Sequence, residues 1–301
     1  MKTSVVIRSR DEAPRLRLTL AALEAQPACD EIVVVDDGSV DDSAQVIAAA
    51  GVRSVRHERS KGRAAASNAG AEAARGDVLI FLDGDTLAGP GFVAAHAAAH
   101  AADDRLIGRG ETWHLRCTRF LADPETGRFW PHEAARTQTL GAKERDAMRV
   151  TLAQVRTDFA SIARRAQPGI YAGAAPRRQY EAEMAALRRP DAAQLWAAAS
   201  GSNLSVRRDS FLNAGGFDPA IDINEHRELA WRLCGAGARM AAVDGAHSYH
   251  LTHRSGWRDP LRDDGWERVF RRAHPHAPID ALKAFWRALS SNAPAADFFA
   301  R

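Results

Sequence analysis

The 301 residues include only three cysteines, three tyrosines and four methionines. Cys29, Cys117 and Cys234 are odd in number and follow no metal-ligand spacing, so reduced, buried thiols are expected in place of a disulfide framework or a zinc module. No run approaches the ~18 apolar residues that a membrane span needs. The apolar stretch Val5, Val6, Ile7 is far shorter than the apolar region of a signal sequence. These absences lead to the expectation of a cytoplasmic chain without integral membrane association. Nor does one charge dominate: 41 Lys and Arg against 38 Asp and Glu leave +3, too little for the electrostatic footprint of a nucleic-acid binder. With 46% hydrophobic and 26% charged residues, the composition is that of an ordinary globular protein, and disordered or fibrous architecture is excluded.

Apolar periodicity predicts a strand over 4–8, a helix carrying Leu16, Leu20 and Leu23, and a second strand over 31–35 that ends in Asp36-Asp37-Gly38-Ser39. A helix over 43–50, a short strand over 52–55, a helix over 64–74 stopped by Gly76 and a buried strand over 78–82 follow. Strands alternating with helices imply an α/β fold, a mostly parallel sheet flanked by helices. In such sheets ligands sit beyond the carboxyl ends of the strands, and Asp36, Asp37, Asp83 and Asp85 are delivered there. From about Arg109 the pattern changes. Residues 143–195 are helical in composition, with ten Lys and Arg against six Asp and Glu, as for an inserted helical subdomain. The pairs Arg164-Arg165, Arg177-Arg178 and Arg188-Arg189 are expected on a solvated helical face. Strand-like sequence resumes at Ala197, 222–233 reads as a capped amphipathic helix, and Trp257, Trp266, Phe270, Phe285 and Trp286 are expected in a helical tail packed on the body.

Asp83-Gly84-Asp85 places two carboxylates two residues apart at the end of an apolar strand, with a glycine between them that lets a ligand approach the backbone. Mg²⁺ and Mn²⁺ are held by one or two carboxylates together with substrate phosphates, which this pattern suits. Asp and Gly also dominate ordinary turns, so the tripeptide alone decides nothing.

The order of motifs is informative: Asp11-Glu12 after the first strand, Asp36-Asp37-Gly38-Ser39, Gly62-Arg63 with Asn68-Ala69-Gly70, then Asp83-Gly84-Asp85. This series resembles the family 2 glycosyltransferases of the GT-A fold. The later motifs, Ser200-Gly201-Ser202-Asn203, Gly215-Gly216-Phe217-Asp218, Glu225-His226-Arg227-Glu228 and Ser248-Tyr249-His250, resemble the acceptor half of chondroitin-polymerase-like and galactosyltransferase-like members. The resemblance implies a nucleotide-sugar-binding half over 1–105 and an acceptor and catalytic half over 196–256. Residues 106–195 match no part of it and, as the segment that departs from the family, are expected to form a helical insertion that takes part in acceptor recognition, while 257–301 are expected to form a helical tail.

Carried over by position, the resemblance implies that Asp37, with Asp36 beside it, meets the base and ribose of a nucleotide-diphosphate sugar, UDP in the usual case. Arg8, Arg63, Asp83 and Gly84 then belong to the nucleotide site, Asp85 to a Mn²⁺ or Mg²⁺ ion on the diphosphate, and Gly201 and Asn203 to the donor or acceptor sugar. Trp196, by its residue type, is either a platform that stacks on the sugar or, as isolated tryptophans more often are, a core anchor. One late histidine joins the metal. His247, His250 and His253 recur every third residue, and His250 aligns best, with His253 second.

Inverting relatives carry Glu-Asp at 225–226, the Asp acting as base on the acceptor hydroxyl. Here His226 stands in its place, which leaves three readings: His226 is the base, Glu225 or Glu228 has taken the role, or the usual inverting scheme does not apply. Glu225 and Glu228 share a helix face, so both carboxylates are expected to look into one cleft. A bland alternative pairs Asp222 with Glu225 in a capping box. The expected reaction is transfer of a hexosyl or N-acetylhexosaminyl group with inversion, to a saccharide, peptide or small-molecule acceptor. Its rivals are a sugar-nucleotide pyrophosphorylase and a non-catalytic binding protein. The first would need a glycine-rich loop where Arg8-Ser9-Arg10-Asp11-Glu12 stands.

Overall fold

The computed structural model describes residues 1–168, 175–253, 260–291, 293 and 296–300. β1 (Thr3–Ser9), α1 (Ala13–Glu24), β2 (Glu31–Asp36), α2 (Ser43–Ala50), β3 (Arg53–Arg56), α3 (Arg63–Ala73) and β4 (Val78–Asp83) alternate as the periodicity predicts. β5 (Thr86–Ala88), α4 (Phe92–Ala102) and β6 (Leu106–His114) follow. A hairpin of β7 (Leu121–Asp123) and β8 (Arg128–Phe129) then leads into the short helices α5 (Ala134–Thr139), α6 (Ala142–Ala147), α7 (Leu152–Thr157) and α8 (Phe159–Ala163). Next come β9 (Gln167–Pro168), α9 (Ala175–Leu187), β10 (Leu204–Arg207), α10 (Arg208–Asn213), α11 (Glu225–Gly235) and β11 (Arg239–His250). α12 (Gly265–Ala273) and α13 (Ile279–Ser291) form the tail.

One sheet runs in the order β3-β2-β1-β4-β10-β6-β11-β5, with β9 on β6. Its first four strands are parallel, and the unbroken apolar runs of β1 and β4 are buried on both faces, as central parallel strands require. Beyond β4 the sheet is mixed, because β10 enters antiparallel to both neighbours. β6 pairs with β10 and β11, so the boundary expected at 106 falls at the start of a central strand, and the helical insertion begins only after His114.

The Asn68-Ala69-Gly70 motif is explained by packing. A Cβ at Gly70 would collide with Val6 and Val35, so only glycine lets α3 lie this close to β1 and β2. Asn68 donates Nδ2–H to the Phe217 carbonyl at 2.8 Å and accepts from the Phe217 N–H at 2.9 Å. Gly216, at φ +69°, keeps clear the space that the Asn68 side chain fills. Two motifs far apart in sequence thereby form one structural joint.

The insertion and the tail meet. Met184 and Leu187 of α9 share an apolar cluster with Trp196, Trp266, Phe270, Phe285 and Trp286. The arginine pairs are not simply solvated: Arg178 donates to the Leu289 carbonyl, Arg189 pairs with Asp297, and Arg188 pairs with Glu111 and Asp244. Trp257 lies outside the described residues. The three cysteines are free and half-buried. No described helix is long and apolar enough to cross a membrane.

Candidate functional site

The break between β4 and β5 builds the centre of the site. β4 lies in mid-sheet, whereas β5 pairs with β11 at the far edge, with Thr86 opposite His250 and the Leu251 N–H donating to the Asp85 carbonyl. The chain therefore crosses the carboxyl edge of the sheet through Asp83-Gly84-Asp85 and sets Asp85 beside the end of β11. A cleft of about 860 Å³ opens there, of a size that holds a small-molecule ligand. Arg8, Asp37, Arg63, Asp83, Asp85, Gly201, Glu225, His226, His250 and His253 all line it.

Oδ2 of Asp85 lies 3.2 Å from Nε2 of His250 and 2.7 Å from Nε2 of His253. The ligand atoms of the three residues lie within 4.8 Å of one another, close enough to share one ion. β11 ends at His250, and the turn after it brings in His253, so both candidate histidines reach the carboxylate. His247 points elsewhere, toward Glu111 at 3.7 Å. Burial opposes the charge on Asp85, but His250 and His253 outweigh it and hold the carboxylate well below its usual range. Burial disfavours the charged form of His250, and Asp85 more than offsets this, raising its pKa. One carboxylate oxygen and two imidazole nitrogens make a donor set that fits a divalent cation of mixed oxygen and nitrogen preference. Glu12 faces the same spot, its pKa raised well above the usual range by burial and by Asp85 and Asp83.

At the other end of the cleft, Asp37 accepts four hydrogen bonds. Oδ1 takes His57 Nδ1 at 2.6 Å and the Lys61 N–H at 2.9 Å, and Oδ2 takes the Ser60 hydroxyl at 2.7 Å and the Gly62 N–H at 3.0 Å. Burial opposes its charge, but these donors outweigh it and hold the pKa below the ordinary value. Asp37 thus shapes the 57–62 loop, at whose end Arg63 opens α3 on the cleft wall.

Between the two ends, Arg8 bridges Asp83 (Nε to Oδ1, 2.8 Å) and Glu225 (Nη1 to Oε1, 3.1 Å). Burial opposes the charge of Glu225, but His226 and Arg8 outweigh it and hold its pKa down to about 2. His226 stands beside it with Nδ1 at 3.6 Å from Glu225 Oε2 and Nε2 at 3.0 Å from Arg227 Nη1. Burial, then Arg227 and Arg8, press the imidazole toward its neutral form against the pull of Glu225. Gly201 packs over this group: a Cβ there would stand 3.1 Å from Arg8 and 3.2 Å from His226 Nδ1.

Several expected site residues do other work. Asp36 does not line the cleft; it accepts the Ser39 N–H at 2.9 Å and pairs with Arg56 at 3.1 Å. Gly84 makes room for Glu12 and Ser9: a Cβ there would sit 2.5 Å from Glu12 Oε1. Glu228 faces away from the cleft and is taken by Arg232 at 2.6 Å and His274 at 2.7 Å. Three residues apart on α11, the two carboxylates diverge in their partners: Glu225 pairs with Arg8 at the cleft, Glu228 with Arg232 and His274. No capping box forms, because Asp222 lies outside the helix. Asn203 is fully buried, donating to the carbonyls of Glu111 and Ala246 while its Oδ1 meets His96. Trp196 is a core residue, its ring edge-on to Trp231 at 5.1 Å.

The sequence reading missed Arg227 and Glu183. Arg227, 8% exposed, donates to the Ala197 carbonyl at 2.7 Å, to Asn224 Oδ1 at 2.6 Å and to Glu183 at 2.7 Å, beneath the ring of Trp286. Glu183 comes from α9 and also pairs with Arg109 at 2.6 Å, so the insertion reaches the cleft through a buried ion cluster. Glu183 is one of two glutamates on a helix that also carries Arg177 and Arg178, so nothing in the sequence singled it out. His114, at the end of β6, lines the cleft with its ring centroid 5.1 Å from that of His250.

Comparison with known proteins agrees with this construction. The model of glycosyl transferase family 2 matches residues 4–166. An uncharacterized glycosyltransferase of Bacillus subtilis, YfnE, is 35% identical over 120 residues, 38% of this chain and 30% of that protein. The undecaprenyl-phosphate 4-deoxy-4-formamido-L-arabinose transferase of Sodalis glossinidius is 34% identical over 136 residues, 40% of this chain and 42% of that protein. The chain thus matches less than half the length of these curated relatives. Among solved structures, S. aureus TarS residues 1–349 aligns with 97% of this chain and 71% of its own at TM-score 0.55 and 15% identity. GalNAc-T7 aligns with 97% of this chain and 51% of its own at TM-score 0.58 and 19% identity. The fold is the GT-A fold, and the chain belongs to glycosyl transferase family 2.

Proposed function

We propose that this family 2 member transfers a hexosyl or N-acetylhexosaminyl group from a nucleotide-diphosphate sugar, a UDP-sugar first among the candidates, to a saccharide, peptide or small-molecule acceptor. The observation that carries the reading is the convergence of Asp85, His250 and His253 in one cleft with Asp37 and Arg63. TarS in complex with UDP and GalNAc-T7 with UDP, GalNAc and Mn²⁺ support the same donor class.

In this reading the 57–62 loop, shaped by Asp37, and Arg63 receive the nucleoside, and Asp83 the ribose or sugar side. Asp85, His250 and His253 hold a divalent cation. The two imidazoles favour Mn²⁺, since Mg²⁺ takes oxygen ligands. When bound, the cation compensates the charge on the leaving diphosphate. The oxygen of an acceptor hydroxyl attacks the anomeric carbon while the bond from that carbon to the diphosphate oxygen breaks, with inversion, and the hydroxyl proton passes to the Glu225 carboxylate. Gly201, Glu225 and His226 form the wall the acceptor meets, together with Gln179, Tyr180 and Glu183 of α9.

The test is nucleotide release from UDP-glucose, UDP-galactose, UDP-GlcNAc, UDP-GalNAc and GDP-mannose, with Mn²⁺ or with EDTA. Metal-dependent release from one of them supports the transferase; binding without release from any supports the non-catalytic alternative.

A further inference from the structure

His226 occupies the position from which a base would act, yet its surroundings leave it no free lone pair. Arginine carries N–H donors and no acceptor, so the 3.0 Å contact from Arg227 Nη1 makes His226 Nε2 the acceptor. A neutral imidazole that accepts at Nε2 carries its proton at Nδ1. Arg227 cannot turn away to release Nε2. Its Nε is fixed by the Ala197 carbonyl, its Nη1 also by Asn224 Oδ1, its Nη2 by Glu183 Oε1, and its guanidinium lies 5.1 Å from the centre of the Trp286 ring. At the opposite edge of the imidazole, Nδ1 is buried without a partner among the described residues, 3.6 Å from Glu225 Oε2 and beneath Gly201. That separation is too long for a hydrogen bond.

We infer that His226 is held as an Nδ1–H hydrogen-bond donor and does not serve as the proton-accepting base, and that Glu183 of the insertion, acting through Arg227, holds it so. The line Glu183, Arg227, His226, Glu225, Arg8, Asp83 then connects α9 to the carboxylates after β4 through alternating charged and polar groups. The nearest acceptor facing the Nδ1–H is the Glu225 carboxylate, 3.6 Å away, and Gly201 covers the same nitrogen. His226 and Glu183 are positioning residues in this account. A second proton on the ring would have to sit at Nε2, against the N–H of Arg227 and within the field of two guanidinium groups. The charged groups facing the ring are Glu225 and Arg227 on its own helix and Arg8 from β1, with Asp83 behind Arg8 and Glu183 from α9 behind Arg227; Asp222 also lines the cleft, before α11.

The inference concerns a residue of the proposed transferase site, and its test separates the two ideas. Long-range proton–nitrogen NMR of the full chain labelled with ¹⁵N-histidine, with the His226 signals identified by their loss in His226→Asn, reads the tautomer directly. The expected result is an Nδ1–H imidazole that titrates below the ordinary histidine value of about 6.5. In Glu183→Gln, Arg227 loses its Nη2 partner, and an Nε2–H population of the same ring should appear; an unchanged tautomer would remove Glu183 from the positioning role. An Nε2–H tautomer, or titration near 6.5 in the wild type, would overturn the inference.

Nucleotide release from the UDP-sugars above, with Mn²⁺, gives the second readout. Asn places an N–H donor where Nδ1 stands, whereas Gln reproduces only the Nε2 end. His226→Ala and His226→Gln should lose on the order of 10- to 100-fold, as for loss of one hydrogen bond, and His226→Asn should recover most of that loss. A base would be lost equally in all three, by on the order of 10²- to 10⁴-fold, and that result would contradict the inference. A wild type that releases nucleotide from none of the sugars counts against the transferase reading, and the NMR result then decides His226 alone.

Discussion

Nε2 of His253 lies 2.7 Å from Oδ2 of Asp85, across 168 residues of chain. The register of β5 on β11 puts Thr86 opposite His250, and the three residues after the strand bring His253 back to the same carboxylate. Both histidines are therefore expected to ligate. His250→Ala and His253→Ala should each weaken Mn²⁺ binding at least tenfold, and His247→Ala should leave it unchanged, as measured by titration with Mn²⁺ alone.

Arg8 is the cation shared by Asp83 and Glu225, and the Glu225 side chain is only 3% exposed. Removing one member of such a group strands the other charge in a poorly solvated place. Arg8→Met should destabilise the fold by roughly 3–5 kcal/mol in urea unfolding. In Arg8→Met with Glu225→Gln the stranded carboxylate is gone, and much of that loss should be recovered.

The buried side of the sheet carries a pH dependence. Burial pushes His96 and His100 down to about 4, even though His96 is bonded to Asn203 and Ser205 and His100 to Ser205. As pH falls, the unfolded chain takes up protons at its ordinary value of about 6.5 before the folded chain does. The stabilisation is thus complete above about 6.5 and is lost progressively on the way to about 4, by roughly 3 kcal/mol for each histidine. Urea midpoints between pH 7.5 and pH 4.5 should fall accordingly, and His100→Gln should flatten part of the slope.

Trp196 packs on Trp231, Phe270 and Phe298, away from the cleft. Trp196→Ala should therefore cost roughly 3–5 kcal/mol of stability. The folded fraction should bind UDP with unchanged affinity; a selective loss of sugar binding at full stability would restore the stacking role expected from the sequence.

The first four strands and the aspartates at their ends were legible because unbroken apolar runs between helices leave few arrangements, and ligands collect at their carboxyl ends. The mixed half was not legible: β10 has four residues and β5 three, too short to show a period, and their pairing is fixed by the distant strands β6 and β11. Asn203 and Trp196 were misplaced for a related reason. A polar residue and an aromatic near a site motif read as ligand contacts until it is known that His96, Glu111 and Ala246 surround the one and the tail covers the other. Glu183 was invisible because its two partners, Arg109 and Arg227, lie in elements that meet α9 only after folding.

The most direct test of the central claim is calorimetric titration of the chain with UDP, with and without Mn²⁺, in the wild type and in Asp85→Ala. The account predicts UDP binding that Mn²⁺ strengthens in the wild type and does not strengthen in Asp85→Ala. The same Mn²⁺ enhancement in Asp85→Ala would show that the cation sits elsewhere, and no binding of UDP under any condition would contradict the nucleotide-sugar site itself.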